Sequence, residues 1–361
     1  MQFSNKSKEH MDQCRFCWMC RHICPIGNAT GHERNTARAR GMILALVARG
    51  GVEYSADIID NVYECALCGA CTKECVTGWD PVAFTKEARL VAALEGKLPE
   101  YIDRMLENFE KTGNVYGKTE LDAALKAEIE KHSVKTDVLF LIGRDAMYLA
   151  PENAVRAIKA LDKAGVKFTV LENEPDSGYA SEFLIGAAEE TRQTAVVSAK
   201  VFDEYKKVIC YEAQDAMMLM QRYKEWGIEL KCEVQTFTAC LAELIEGGKI
   251  KAAKTSKAYT FQDPVHLARD IEETESARKI ISAFGENREM LLFGKDTMLG
   301  GNLIMNEYMP DVMRKVAEDR WINAAGVNAE TVVTASTADY VIMKSVKPEG
   351  VEIMTIEELV L

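Results

Sequence analysis

The chain has 361 residues and a formal net charge of −12, with 56 acidic side chains against 44 basic ones. This acidic balance argues against nucleic acid and against anionic membrane surfaces as partners. No apolar run reaches the ~18 residues that a transmembrane helix requires. The length predicts two or three domains. Eleven cysteines without a recognisable signal peptide indicate a reducing compartment, so we expect the chain in the cytoplasm.

Eight of the eleven cysteines form two copies of one spacing, C-x-x-C-x-x-C-x-x-x-C, and Pro25 follows the first copy. Two-residue gaps let a tight loop wrap three thiolates around three corners of a [4Fe–4S] cubane, and the fourth cysteine typically ligates the other cluster. We therefore expect two [4Fe–4S] clusters with crossed ligation. Cluster I takes Cys14, Cys17, Cys20 and Cys75, and cluster II takes Cys65, Cys68, Cys71 and Cys24.

Two other cysteine chemistries fit this pattern less well. A disulfide framework is typical of small secreted chains rather than one of this length. Structural zinc uses two C-x-x-C pairs per site, and such pairs could be drawn from each run. Zinc gives no reason for a seventh and an eighth cysteine at matching offsets, nor for Pro25. Zinc therefore stays open only as the minor alternative.

The cysteine runs lie among predicted helices. Apolar side chains recur at helical spacing over 36–48, and Gly50-Gly51 ends that helix. Ser55 is expected to cap a helix over 56–64, and Asp80-Pro81 opens one over 82–94. A further helix is expected over 101–111. These elements predict an α-helical ferredoxin domain over residues 1–115, with the clusters in loops between helices.

After Asp137 the pattern changes to short β-rich runs that alternate with amphipathic helices, which indicates an α/β layer with mostly parallel strands. The first series has strands over 138–142, 167–171, 208–210 and 233–237, and helices over 152–164, 215–226 and 239–246. The second series has strands over 259–261, 290–293, 332–333 and 351–354, and helices over 338–344 and 356–359. Because the order is kept, we predict two repeats, over 116–250 and 251–361, packed about a pseudo-two-fold axis.

Tandem cubane runs, a helical ferredoxin domain and a duplicated α/β region together resemble the iron–sulfur subunits of the heterodisulfide reductase and glycolate oxidase class. In that class each repeat, called the CCG domain, carries a lone cysteine, a Cys-Cys-Gly and a C-x-x-C. In the reductases these residues hold unusual clusters where a disulfide is cleaved. The fold class that this implies is α plus α/β, with two CCG-like repeats after the ferredoxin domain.

This chain keeps the frame of the CCG repeats and loses their ligands. In the first repeat Cys210 survives, and the other cysteine positions hold Arg144, Asp176-Ser177-Gly178 and Ala213. In the second repeat they hold Val265, Asp296-Thr297-Met298, Thr334 and Thr337. One cysteine cannot assemble a cluster that needs thiolate ligands. We therefore predict no cluster and no disulfide chemistry in the α/β region, where Cys210, Cys232 and Cys240 are expected to be buried apolar residues.

The resemblance implies an electron-transfer subunit without catalytic residues of its own. A FAD-linked dehydrogenase or an electron-transferring flavoprotein would be its partner in a hetero-oligomer, since a flavin splits a hydride into single electrons. Exposed cubanes are usually oxygen-sensitive, which favours an anaerobic setting. Two alternatives stay open. One is a catalytic reductase with a site near Asp263, His266 and Arg269, and the other is a structural or regulatory protein whose clusters hold the fold or sense oxygen.

Overall fold

The structure, a computed structural model, describes residues 3–361 and separates them into two compact units. The first unit contains the chain up to Gly117 together with two later segments, Ala180–Thr191 and Asn302–Val316. The second unit contains Lys118–Tyr179, Arg192–Gly301 and Ala317–Leu361. The domain boundaries expected from the sequence assign both later segments to the α/β repeats, so their place in the first unit is a finding of the structure.

The first unit is helical as far as Gly117. Its helices are Asn5–Asp12, Met19–His22, Pro25–Thr30, Ala37–Ala48, Ala56–Tyr63, Ala70–Glu74, Pro81–Leu94 and Glu100–Thr112, with a 3-10 turn at Glu33–Asn35. All four helices that the sequence predicts are present. Their starts follow from local chemistry, since Thr36 accepts a hydrogen bond from the Ala39 amide and Asp80 accepts two at the helix that Pro81 opens.

The helices after Gly117 alternate with strands along the chain. They are Ala123–Lys131, Arg144–Leu149, Pro151–Lys163, Tyr179–Ile185, Glu189–Phe202, Ala213–Met217, Tyr223–Glu225, Phe237–Glu246, Glu275–Phe284, Leu303–Asn306, Pro310–Ala325 and Thr337–Ser345. Single π turns occupy Met218–Arg222 and His266–Asp270, and 3-10 turns occupy Gly294–Asp296 and Ile356–Leu359.

The second unit contains two parallel sheets. The first has the order β1-β2-β3, and the second has the order β5-β4-β6-β7, with every recorded strand pair parallel. The strands are β1 Val138–Leu141, β2 Lys207–Cys210, β3 Glu233–Thr236, β4 Ala258–Gln262, β5 Glu286–Asn287, β6 Thr331–Thr334 and β7 Glu352–Thr355. The predicted class, helices combined with parallel sheet, is confirmed. The duplication into two CCG-like repeats stays a prediction.

Two predicted strands are wrong in extent or place. Over 167–171 only Thr169 pairs, through a single parallel bridge to Leu139. The strand expected over 290–293 lies earlier, at β5, and the predicted segment is irregular. Leu292 has a φ of 58°, which ends an extended run, and the carbonyls of Leu291 and Leu292 accept hydrogen bonds from Arg320. A buried guanidinium therefore takes the acceptors that a strand neighbour would need.

Aromatic side chains from the first sheet form the centre of the second unit. The rings of Phe140, Tyr211 and Phe237 lie 5.3–6.3 Å apart at tilted or edge-on angles. They belong to one apolar core that also includes Phe261 of the second sheet. Tyr211 donates a hydrogen bond of 2.9 Å to Glu357, so a buried polar contact also joins the two series of elements.

Candidate iron–sulfur sites

The two cysteine runs adopt the same local backbone. Phe16 and Leu67 have φ of 57° and 51°, and Trp18 and Gly69 have φ of 72° and 74°. The first sulfur of each run accepts a hydrogen bond from the amide two residues on, at 3.5 Å for Cys14 and 3.4 Å in the second run. Each loop then leads into a short helix, at Met19–His22 and Ala70–Glu74. The shared spacing therefore produces a shared loop that turns its thiols inward.

One cavity collects cysteines from both runs. It is lined by Cys24 of the first run together with Cys65, Cys68 and Cys71 of the second. Its other lining residues include no aspartate, glutamate or histidine. Four sulfur donors in an apolar cavity are the ligand set that iron–sulfur clusters use, so these residues fit a [4Fe–4S] cluster.

Burial raises the pKa of two of the four cysteines of this cavity, Cys24 and Cys71. Burial raises the pKa of Cys24 to about 11, although the nearby Arg40 opposes that shift. Burial and the neighbouring Cys68 and Cys65 raise the pKa of Cys71 well above its ordinary value. Sulfur ligates iron as thiolate. A bound cluster would therefore supply the positive charge that makes deprotonation of these cysteines favourable.

The first run presents three cysteines of unequal exposure. Cys17 is exposed, Cys14 is half-buried and Cys20 is buried. Burial raises the pKa of Cys20 to about 11, with Cys14 and Cys17 adding to the shift. Cys75 is linked to this run by hydrogen bonds through Thr77. Its sulfur is 3.2 Å from the Thr77 hydroxyl, which donates a 3.2 Å hydrogen bond to the carbonyl beside Cys14, that of Gln13.

The environment of Cys75 differs from that of the other fourth cysteine. Its pKa is lowered, because hydrogen bonds from Thr77 and Trp79 together outweigh the effect of burial. Cys24 instead caps the helix Pro25–Thr30, where its sulfur accepts the Gly27 amide at 3.4 Å. The structure thus brings Cys24 beside the second run and links Cys75 to the first.

Two buried arginines adjoin the cavity, and Arg89 was not identified from the sequence. Arg40 is 2% exposed and donates to the carbonyls of Asn61 and Asn35, at 3.0 and 3.3 Å. Arg89 is fully buried and donates to three carbonyls, including that of Cys65. The hydrogen-bond acceptors recorded for both guanidiniums within residues 3–361 are backbone oxygens, not carboxylates. A sequence signal existed, since Arg89 lies on the apolar face of Pro81–Leu94.

The two later segments of the first unit pack against residues that neighbour the second run. The ring of Phe183 lies 4.5 Å from the Arg89 guanidinium, and the carbonyl of Leu184 accepts the Tyr63 hydroxyl at 2.8 Å. Tyr308 donates to the Tyr63 carbonyl at 2.8 Å and stacks on Tyr101, with ring centres 4.9 Å apart. Residues distant in sequence therefore enclose the helix end that precedes Cys65.

Polar groups at or near the positions that the sequence predicts to correspond to lost cysteines of a first repeat are hydrogen-bonded. Arg144 donates to the Glu174 carbonyl at 2.7 Å, and the Glu174 carboxylate accepts the amides of residues 142 and 143. Ser177 donates to Asp215, whose pKa is raised to about 8 by burial. Cys210 is buried, and burial raises its pKa well above the ordinary value, as expected of an inert thiol.

The three residues of the alternative catalytic site in the second repeat have separate partners. Asp263 is buried and forms a bidentate pair with Arg278, at 2.8 and 3.0 Å. His266 lies 2.7 Å from Asp270 and 3.0 Å from the Tyr179 hydroxyl. Arg269 donates to two backbone carbonyls. In the described part of the chain no hydrogen bond joins Asp263 to His266, so the structure does not assemble them into one acid–base pair.

Across residues 3–361, no helix combines the length and apolar character needed to cross a lipid bilayer.

Known proteins support the iron–sulfur identification. A family model described as a 4Fe-4S dicluster domain matches residues 10–79, which include all eight cysteines of the two runs. A subunit of the dihydromethanophenazine:CoB–CoM heterodisulfide reductase of Methanosarcina mazei is 25% identical, over 89% of this chain and 85% of the relative. The corresponding subunit of Methanosarcina barkeri is also 25% identical, over 90% and 86%.

A third relative is named only as an iron–sulfur protein. An uncharacterized iron–sulfur protein of Methanocaldococcus jannaschii is 23% identical, over 92% of this chain and 68% of the relative. The resemblance inferred from the cysteine runs is thereby confirmed: the chain is an iron–sulfur protein with a 4Fe-4S dicluster domain, homologous over most of its length to a subunit of heterodisulfide reductase.

Proposed function

We propose that this chain is the electron-transfer subunit of a cytoplasmic oxidoreductase complex, and that it passes single electrons through two [4Fe–4S] clusters. The observation that carries the proposal is the cavity shared by Cys24, Cys65, Cys68 and Cys71. A fourth ligand that comes from the other run is what a two-cluster wire with interlocked ligation requires. The link from Cys75 through Thr77 to the first run supports the reciprocal set, Cys14, Cys17, Cys20 and Cys75.

The α/β region contributes a scaffold for assembly rather than a third metal centre. Hydrogen bonds and ion pairs engage the side chains at the former ligand positions, Arg144 and Ser177 among them. Asp263, beside the former ligand position at Val265, is neutralised by Arg278. The order of neighbouring strands supports the duplication. In the first sheet the neighbours run from the Thr169 bridge to β1, β2 and β3, and in the second sheet they run from β5 to β4, β6 and β7. The second element along the chain lies at one edge in both sheets. The disulfide chemistry in the names of the relatives is therefore not carried over to this chain.

A flavoprotein supplies what the clusters lack. Each cluster exchanges one electron at a time, whereas organic substrates lose a hydride, which carries two electrons. The flavin of a FAD-linked dehydrogenase or of an electron-transferring flavoprotein passes these electrons on singly. The relatives are named as subunits, which supports a hetero-oligomer. In this arrangement the chain itself binds no organic substrate and performs no bond-making step.

Metal analysis tests the cluster count. Anaerobically purified protein is expected to contain about eight irons and eight sulfides per chain, since each cubane holds four of each. About twelve irons would overturn the claim that the α/β region holds no cluster. Protein that shows no paramagnetic iron after dithionite treatment would overturn the electron-transfer function itself.

Paired cysteine variants test the ligand sets. Cys24→Ser is expected to perturb the electron paramagnetic resonance signal of cluster II, and Cys75→Ser that of cluster I. Cys240→Ser is the matched control, because it changes a buried cysteine of the second unit and should leave both signals intact. Loss of the same signal in both ligand variants would contradict crossed ligation.

A further inference from the structure

The two cysteine runs share a backbone but present opposite surfaces. Phe16 is 56% exposed, whereas its counterpart Leu67 is 7% exposed. The same holds along the loop. Arg15, Phe16, Trp18 and Met19 are all exposed, and their counterparts Ala66, Leu67, Gly69 and Ala70 are buried or half-buried. Cluster ligation cannot explain the contrast, because both loops provide the same number of cysteines at the same spacing.

Trp18 occupies a position where its backbone favours glycine. Its φ of 72° lies in the left-handed region, and the equivalent residue of the second run is Gly69 at 74°. A tryptophan there costs conformational free energy that glycine avoids. Trp18 is nonetheless 42% exposed, with the Arg38 guanidinium 3.9 Å from its ring centre. An aromatic side chain that is held in a strained conformation and is exposed to solvent contributes little to the stability of the fold. We therefore expect Trp18 to contact another molecule.

The exposed apolar surface continues onto the helix Ala37–Ala48. Met42 and Leu46 are 42% and 44% exposed, and with Phe16 they line a groove beside Cys14. The surface that we call the cluster I face consists of Arg15, Phe16, Trp18, Met19, Met42 and Leu46, and it includes the residues on both sides of the exposed Cys17 in the sequence. Aromatic residues, methionine and arginine are the types enriched at protein interfaces.

The charge of the face is opposite to that of the whole chain. Four arginines lie on or beside it: Arg15, Arg21, Arg38 and Arg49. Two carboxylates pair with three of them, Glu33 with Arg21 and Arg38, and Asp12 with Arg49. Four cations less two anions leave an excess of two positive charges, in a chain whose net charge is −12. A local basic surface of this kind attracts an acidic partner.

We propose that the cluster I face is the docking surface for an acidic, one-electron flavoprotein. The inference rests on the electron-transfer function proposed above and specifies where the partner binds. Phe16, Trp18 and Met42 provide the apolar centre of the contact, and the arginines provide its basic rim. In each docked encounter the partner is oxidised by one electron and this chain is reduced by one, and no bond between the proteins forms or breaks.

The chain itself provides the variant that tests this surface. Arg15→Ala, Phe16→Leu, Trp18→Gly and Met19→Ala together give the first run the residues of the second, which hold the same backbone. The probe is a reduced flavodoxin, a small acidic one-electron flavoprotein, mixed with oxidised protein by stopped flow. We expect the second-order rate of cluster reduction to fall at least tenfold. Reduction by dithionite, which needs no docking, should stay within twofold of the wild-type rate.

Two further variants complete the experiment. In the single variant Arg15→Glu, the guanidinium that is lost donates hydrogen bonds to the carbonyls of Asp12 and Cys14. This variant is expected to slow reduction by flavodoxin several-fold and to weaken the salt dependence of the rate. Ile322→Ala, which removes an exposed apolar side chain from the second unit, should change neither rate. Iron content and the dithionite-reduced spectrum establish that each variant still carries its clusters.

The outcomes separate the docking surface from the electron-transfer function. Wild-type protein that dithionite reduces but flavodoxin does not, or a four-residue variant that keeps its flavodoxin rate, would overturn the docking proposal alone. If wild-type protein forms a dimer and the four-residue variant is monomeric, the face binds a second copy of the chain, which would also overturn the docking proposal. Binding of wild-type protein to vesicles of anionic lipid that the variant abolishes would have the same consequence. Clusters that accept electrons from neither reductant would overturn the function and the docking surface together.

Discussion

Replacing Arg40 by glutamine is expected to lower the reduction potential of cluster II and leave that of cluster I unchanged. The Arg40 Nη2 atom lies 3.3 Å from the Asn35 carbonyl oxygen, and the Cys24 sulfur lies 3.5 Å from the same oxygen. The charged nitrogen and the proposed ligand are therefore no more than ~6.8 Å apart, the sum of these distances. Burial of the guanidinium keeps solvent from screening the interaction.

The size of the effect follows from this distance. At an effective dielectric constant of 20, two unit charges ~6.8 Å apart interact by about 2.4 kcal/mol. The added electron spreads over a cluster that extends beyond the sulfur, so we take about 2 kcal/mol. A tenfold change in a one-electron equilibrium, about 1.4 kcal/mol, corresponds to 59 mV, which gives a shift of about 90 mV. Its sign is negative, because removing a positive charge disfavours the reduced, more anionic cluster.

A redox titration followed by electron paramagnetic resonance measures both potentials in one sample, so cluster I is the internal control. Arg40→Lys keeps the charge and should retain most of the wild-type potential of cluster II. An Arg40→Gln protein with both potentials at their wild-type values would refute the reasoning. A lysine variant that shifts as far as the glutamine variant would show that the hydrogen bonds of Arg40, not its charge, set the potential.

Three further predictions concern stability. Arg89→Leu leaves three buried carbonyls without a donor and should lower the free energy of unfolding by about 3 kcal/mol or more, measured by urea denaturation. Gly41→Ala should cost about 1–3 kcal/mol in the same assay because its Cβ overlaps the Trp79 ring, while Gly51→Ala, with 3.4 Å of clearance, serves as the control. Burial raises the pKa of Asp215 to about 8, so the folded state binds more protons than the unfolded state between about pH 4 and that value. The contribution of Asp215 to stability is therefore present at low pH and is lost as the pH rises. The free energy of unfolding of Asp215→Asn, relative to that of wild type, should increase from pH 5.5 to pH 8. An equal difference between variant and wild type at both pH values would contradict this.

The features that could be predicted from the sequence are those that the spacing of nearby residues determines. Each cysteine loop is a local structure, so the repeated spacing predicted a repeated conformation. The helix start at Asp80 followed from capping chemistry, whereas Ser55 lies at its predicted N-cap position without a side-chain capping hydrogen bond. The order of strands in the α/β region was also accessible, because buried strands read as short apolar runs. Crossed ligation was a rule applied to the spacing, and the position of Cys24 beside the second run supports it.

The surroundings of the sites depend on contacts between distant residues, and these were missed. Phe183 and Tyr308 contact Arg89 and Tyr63, which neighbour the second run, across sequence separations of 94 and 245 residues. Nothing in the periodicity of either segment indicates such a contact. The strand expected over 290–293 fails for a related reason, since Arg320, about 30 residues later, takes its carbonyls. Strand propensity describes a segment in isolation. A buried guanidinium, however, needs hydrogen-bond acceptors, and the carbonyls that bind it are then not available to a neighbouring strand.

The contrast between the two runs assigns the clusters different tasks. The first run is exposed at Cys17 and carries an apolar, basic surface, which suits a cluster that exchanges electrons with a partner. Beside the second run lie two buried arginines: Arg40 lines its cavity, and Arg89, which packs on Phe183, donates a hydrogen bond to the Cys65 carbonyl. Buried positive charge stabilises the reduced form of the cluster there and raises its potential. If a docked flavoprotein delivers its electron at cluster I, as proposed above, this buried charge favours onward transfer to cluster II, and removing the charge at Arg40 or Arg89 is expected to weaken that preference.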